Sequence, residues 1–281
     1  MSAEITTVHP SLTGDSEDWQ PPLPPTDLIF DDGEPLESNR HRIAMNLLIR
    51  SLKHYWAERN NYFIGGNMFV YYSSEQARNR DFKGPDFFVV LDVLDNSRRL
   101  GWVVWEENGR YPDMIVELLS DSTERQDLGQ KKQLYEQVFK TKDYFVFHPF
   151  KADSLQGWHL DSDRGYQPIA PNSQGLLWCQ SLELWMGIWS GVVEDDSAVW
   201  LRFYDREGHV VLLPEEAQQQ RADAEQQRAD AEQQRADTEQ QRADAERQAR
   251  LDAIPQLLEM GLSAEQVAQA LDLSVEEVKR E

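Results

Sequence analysis

Cysteine is almost absent: Cys179 stands alone in 281 residues. No intrachain disulfide can form, and the chain suits a reducing compartment. An excess of positive charge is also lacking. The formal net charge is −22, with −15 up to residue 216 and −7 from Ala217 onward. Acidity spread over both parts argues against broad, sequence-independent attraction to nucleic acid, which needs positive charge to displace counterions. It leaves room for a local basic groove. No apolar run approaches membrane-spanning length, and the N-terminus shows no basic-then-apolar signal pattern. The expectation is a soluble, cytoplasmic protein with no membrane partner.

What is present reads as one good-sized domain with appendages. Aromatic residues are plentiful, with 9 Trp, 9 Tyr and 11 Phe. Residues 1–35 carry Pro10, Pro21, Pro22, Pro24, Pro25 and Pro35 among acidic residues. They read as a loosely ordered arm meeting the domain near Leu28-Ile29-Phe30. From 36 to 58 the pattern is helical, with Ala44, Leu48, Leu52 and Tyr55 on one face and Glu37 and His41 one turn apart at the start. Gly65-Gly66-Asn67 reads as a turn before a strand over 68–72. The domain spans 36–213, and its part from 150 to 213 alternates short apolar pieces with turns. Asp205-Arg206-Glu207-Gly208 looks like a hairpin turn before a strand over 209–213.

A seven-residue repeat, Gln-Gln-Arg-Ala-Asp-Ala-Glu, fills most of 214–253. Seven is the coiled-coil period, yet no register places large apolar residues at both seam positions. The expectation is a helical rod that associates weakly, leaving a homo-oligomer possible. At 254–281, capping boxes at Ser263/Gln266 and Ser274/Glu277 mark two short helices resembling a helix-turn-helix hairpin. Their acidic balance disfavours reading a DNA groove.

Residues 85–148 organise the rest. Pro85-Asp86 leads into Phe87-Phe88-Val89-Val90-Leu91, an apolar run of strand length. Met114-Ile115-Val116-Glu117-Leu118-Leu119 is a second, with one carboxylate inside it. A carboxylate there is costly to bury unless a partner or a metal meets it. Ser120 to Thr123 offer helix caps, and Thr123 and Gln126 have capping-box spacing. Asp127, Lys131 and Tyr135 then recur at intervals of four, so they share a helix face. Tyr144-Phe145-Val146-Phe147-His148 closes the unit as a third strand. The short link between the first two strands suggests antiparallel pairing, and the helix before the third could carry a crossover. An acid at the edge of one strand, an acid within its neighbour and a nearby lysine form a constellation suited to a hard divalent cation and phosphodiester hydrolysis. The candidates are Asp86, Glu117 and Lys131. The lysine could orient or deprotonate water, or neutralise developing charge.

These residues carry a resemblance. Pro85-Asp86, Glu117 within Ile115–Ser120, the Asp127-x-x-x-Lys131-x-x-x-Tyr135 series and the strand at Tyr144 are similar to the Uma-type restriction endonucleases of the PD-(D/E)XK nuclease superfamily. The likeness runs over about 32–149, and the β-rich extension and repetitive tail also look like that family. It implies a restriction-endonuclease-like α/β fold, a mixed sheet flanked by helices, with a β-rich extension and a C-terminal helical rod. It implies Mg²⁺ or Mn²⁺ at Asp86 and Glu117, and DNA as substrate. The superfamily lysine usually lies two residues after the glutamate, where this chain has Leu119, so Lys131 on the following helix takes that role ahead of Lys132. The superfamily often adds an acid from the first helix, which here is Glu37.

Blander readings stand beside these. Lys131 could simply pair with Asp127, a surface contact worth little to stability. Pro112-Asp113 reads as a turn, His41 as structural, the hydroxyls at 120–123 as caps rather than nucleophiles, and the Trp-rich pieces after Phe150 as core. The competing class is a non-catalytic scaffold working through its tail. A third is a nucleic-acid-binding regulator using the terminal hairpin.

Overall fold

The computed structural model describes residues 23–30, 38–79, 84–94 and 98–280. Most of the expected N-terminal arm, and Glu37, lie outside the described residues. The chain divides into two compact units that meet in sequence at Val211 and Leu212.

The first unit is built on a six-stranded sheet. Its strands are β1 (Tyr62–Gly66), β3 (Phe87–Leu91), β5 (Met114–Leu118), β6 (Asp143–Phe147), β7 (Gln156–Asp161) and β8 (Gly165–Pro168), in the order β1-β3-β5-β6-β7-β8. β3 and β5 run antiparallel, while β5 and β6 are parallel. A parallel pair needs a crossover, and a helix over 124–139, here α3, supplies it. The sheet is therefore mixed. β3, β5 and β6 are buried along their whole length, which explains their unbroken apolar runs.

Helix α1 (Asn39–Tyr55) starts at Ser38, whose hydroxyl accepts the His41 N–H. It buries Ile43, Ala44, Leu47, Leu48 and Leu52 and packs against β1, β3, β5 and a strand of a second sheet. That sheet is a meander of β9 (Leu177–Cys179), β10 (Leu184–Val193) and β11 (Asp196–Tyr204). Val193 faces Asp196 across the β10–β11 hairpin. The turn is Glu194 and Asp195, both at positive φ, 47° and 63°, matching the twist that a two-residue hairpin requires. Arg40 of α1 grips this hairpin through both oxygens of Asp196, at 3.0 and 2.8 Å. Two short pieces complete the unit: β2 (Val70–Tyr71) pairs in parallel with β4 (Trp102–Val103), and α2 spans Ser74–Arg78.

Several sequence expectations change. Of the turn predicted at Gly65-Gly66-Asn67, the two glycines lie inside β1, where Gly65 pairs with Phe88, and the chain bends only at Asn67, at φ 48°. The Phe88 ring fills the space that a Cβ at Gly65 would take, so glycine serves close packing there rather than a turn. The strand expected over 68–72 shrinks to β2. Beyond the turn at Asp205, only Val210 bridges back, to Tyr204, and no further strand forms. Thr123 makes no side-chain cap bond to the helix; its hydroxyl accepts the Ser120 N–H at 3.3 Å instead.

In the second unit, α4 (Pro214–Asp252) is a single helix of 39 residues, about 58 Å long at ~1.5 Å per residue. Residues 218–250 are all exposed, as expected without an apolar stripe. Gln-to-Asp bonds recur at each repeat, from Gln219–Asp223 to Gln240–Asp244. The helices α5 (Ile254–Glu259), α6 (Ala264–Leu271) and α7 (Val275–Val278) enclose a small core of Ile254, Val267, Ala268 and Val278. Both capping boxes, at Ser263 and Ser274, are formed.

Candidate active site

Pairing of β3 with β5 brings Asp86, at the entry to β3, beside Glu117, near the end of β5. The Asp86 N–H donates to Glu117 Oε2 at 3.4 Å, and the Leu118 N–H donates to Asp86 Oδ2 at 2.7 Å. Both carboxylates are thus oriented by the backbone of the partner strand. Glu117 is 0 % exposed. Its side chain points to the sheet face covered by α3, since Ile115 and Leu119 on the same face belong to the core that includes Tyr135.

α3 delivers the remaining groups. Lys131 Nζ lies 3.2 Å from Glu117 Oε1 and 2.8 Å from Asp127 Oδ1. The Tyr135 hydroxyl donates to Glu117 Oε1 at 2.7 Å. Asp127 is buried, and its carbonyl accepts the Tyr144 hydroxyl at 2.9 Å. The helix is wound as a π-helix over Asp127–Lys131 and again over Tyr135–Phe139. Such wide turns are uncommon, and they recur at functional sites. Here they leave Asp127, Lys131 and Tyr135 converging on one glutamate. Lys132 faces elsewhere, with its Nζ 3.7 Å over the Trp158 ring.

The electrostatics follow from crowding. Burial, opposed by Lys131, pushes Asp86 up to about 6. Burial likewise raises Glu117 to about 7, with Lys131 again opposing and Asp86 adding to the rise. Asp127 is raised to about 6 by burial and by Glu117. Burial alone would lower Lys131, but Glu117, Asp127 and Asp86 outweigh it and hold its pKa above the ordinary lysine value. Three carboxylates thus surround one firmly protonated ammonium, and the cluster is short of positive charge.

The family model for Uma2, described as "putative restriction endonuclease", matches residues 16–191. The chain belongs to the Uma2 family. The matched stretch contains Asp86, Glu117, Asp127, Lys131 and Tyr135 and ends inside β10. Among solved structures, the chain is similar to a protein from Anabaena variabilis ATCC 29413 titled a "putative nuclease belonging to DUF820". Identity is 12 %, coverage 57 % of this chain and 86 % of that one, and the TM-score 0.37. A comparison with curated proteins finds no match.

Within this Uma2 chain, Asp86, Glu117 and Lys131 come together, and Glu37 lies outside the described residues. The His41 ring meets the Leu119 carbonyl through Nε2 at 3.2 Å and Ser38 Oγ through Nδ1 at 2.8 Å. Asp113 is structural, accepting the Leu91 N–H and the Lys142 ammonium, each at 2.8 Å. Among the described residues, no three His, Cys, Asp or Glu side chains form a ready-made metal cage. Asp86 and Glu117 nevertheless fit a hard cation. They supply carboxylate oxygens where positive charge is lacking, and Mg²⁺ is commonly held by one or two carboxylates while keeping several waters. The spacing of Asp127 gives its helix face; its burial beside Glu117 follows only from α3 docking on β5.

Proposed function

We propose that this Uma2 chain is a Mg²⁺- or Mn²⁺-dependent endonuclease hydrolysing phosphodiester bonds in DNA at the Asp86–Glu117–Lys131 cluster. The observation that carries this reading is the convergence, from two strands and one helix, of two backbone-oriented carboxylates and a largely covered ammonium. Asp86 and Glu117 are the residues that would hold the cation. Bound there, a divalent ion supplies Lewis-acid charge to a phosphate and favours ionisation of water.

The protein's own groups have separable roles. Tyr135 and Lys131 occupy Glu117 Oε1, which leaves Oε2 facing Asp86. Lys131 stays protonated because three acids surround it. This favours charge stabilisation on the phosphate over proton abstraction, the two options its position allows. Asp127 and Tyr135 position Lys131 and Glu117. Glu37, which precedes α1 in the sequence, is kept as a candidate additional acid on the family resemblance alone. The single buried Cys179 suits work in the cytoplasm.

The test is incubation of the purified protein with supercoiled, linear and single-stranded DNA in Mn²⁺, in Mg²⁺ and in EDTA. Cleavage is expected with metal, none in EDTA, and a loss of at least about 100-fold in Asp86→Ala and Glu117→Ala. Wild-type protein that binds Mn²⁺ but cleaves no DNA form would favour the scaffold reading.

A further inference from the structure

We infer that the pocket just beyond the carboxylates, at the C-terminal ends of β5 and β6, is a subsite for one unpaired nucleotide adjoining the scissile phosphate. It would hold the base on Phe150 and a phosphate at His148 and Lys151. This rests on the nuclease reading and extends it to the form of the substrate.

The pocket has a volume of about 370 Å³ and is lined by Ser38, His41, Ser120, Asp121, Ser122, His148 and Phe150. That lies in the range of small-ligand sites. Ser120 follows Glu117 by three residues, two of them past the end of β5, so it lies at most roughly 10 Å along the chain. A strand of nucleic acid lying on the carboxylates would therefore reach the pocket with its next nucleotide.

Phe150 is 54 % exposed. It is not a loose surface residue: Arg40, anchored on Asp196, lies 4.5 Å over its ring, and the His41 and His148 rings sit at 6.2 and 6.0 Å. A fixed aromatic with open area is a stacking platform for any base.

His148 gives the second, independent sign. It is 5 % exposed, and its Nδ1 accepts the Phe150 N–H at 3.2 Å. That acceptance leaves the ring proton on Nε2, which makes no full-strength hydrogen bond. Buried polar atoms are seldom left so. The nearest anion is Asp121 Oδ1, 3.5 Å away, which also receives Lys151 Nζ at 3.0 Å. The Asp121 side chain is 89 % exposed, so it can swing aside at little cost. Two donors therefore face one exposed carboxylate oxygen at the pocket mouth, Lys151 at 3.0 Å and His148 at 3.5 Å. A phosphate, with more charge and more acceptors, would replace it there. Ser120 and Ser122, their hydroxyls 2.9 Å apart, line the same wall at the start of α3, where an anion is favoured.

The experiment is anisotropy binding, in EDTA, of a fluorescein-labelled single-stranded 12-mer of thymidine and of the same strand made abasic. Phe150→Ala, a substitution at an exposed site, should weaken the base-bearing strand about tenfold or more and leave the abasic strand unchanged. Lys151→Ala should weaken both and lower the salt slope by about one. Asp121→Asn should tighten both. Equal affinity of Phe150→Ala and wild type for the base-bearing strand overturns the subsite. So does equal weakening on the abasic strand, or Asp121→Asn binding no tighter than wild type. If these arms fail while Mn²⁺-dependent cleavage persists, only the subsite falls. If wild type neither binds nor cleaves, the nuclease reading falls with it.

Discussion

At the scale of single residues, Lys131 separates catalysis from stability less cleanly than its sequence context suggests. A cleft lysine contributes little to stability when it faces water, but this one is 16 % exposed and bridges two buried acids. Removing it strands like charges in the interior. The raised acids set the pH dependence. Asp86, Glu117 and Asp127 have folded pKa values of about 6, 7 and 6, above their unfolded values. Their protonated forms favour the fold, so this contribution is fully present below about pH 4 and is lost as pH rises through about 6 to 7. In EDTA, Lys131→Ala should therefore cost about 2–4 kcal/mol at pH 8 and much less at pH 5, where the stranded acids are neutral. Chemical denaturation at the two pH values measures this, and an equal cost at both would refute the buried-cluster account. At pH 8 in Mn²⁺, cleavage by Lys131→Ala should fall by at least about 100-fold. Lys132→Ala should cleave like wild type, because its ammonium sits on Trp158.

At the scale of elements, α3 is the decisive piece. Its i, i+4 acid–lysine–tyrosine series is plain in the sequence, but its two π-wound segments are not. Nothing in the Asp127–Lys131 sequence calls for a wide turn; it arises where the helix must meet both Glu117 and the Tyr144 hydroxyl. Gly129 sits within that segment, and a Cβ there would meet nothing within 4 Å. Its backbone is not left-handed, so alanine fits without strain. Gly129→Ala should stabilise the protein by about 0.4–1 kcal/mol by restricting the unfolded chain, with cleavage unchanged. A lower melting temperature would mean that the wide turn needs the freedom of glycine. β1 teaches the complementary lesson. Gly-Gly signals a turn by local propensity, yet tertiary contact with the Phe88 ring selects glycine in mid-strand.

At the scale of the whole molecule, the second unit has its own small core around Ile254, Val267 and Val278, and α4 exposes residues 218–250 entirely. Deleting 217–281 should therefore leave a cooperatively melting protein with its cleavage intact, as measured by calorimetry and the plasmid assay. Loss of cooperative melting would show that the tail completes the first unit. A change from oligomer to monomer on deletion would make α4 an assembly device.

The sequence by itself determined that strands lie at 87–91, 114–119 and 144–148, each within a residue of the observed bounds, together with the helices α1 and α4 and the terminal capping boxes. Each rests on local periodicity or cap chemistry, which needs no knowledge of distant residues. It also singled out Asp86, Glu117 and Lys131, because a carboxylate inside an apolar run demands a partner. Only the tertiary structure decided that Asp127 joins them in the interior, that Glu117 is raised to about 7, and that His148 and Phe150 from the end of β6 form a pocket with Ser120 and His41. Burial and convergence are relations between segments far apart in the chain, and desolvation shifts a pKa only once the neighbours that exclude water are in place.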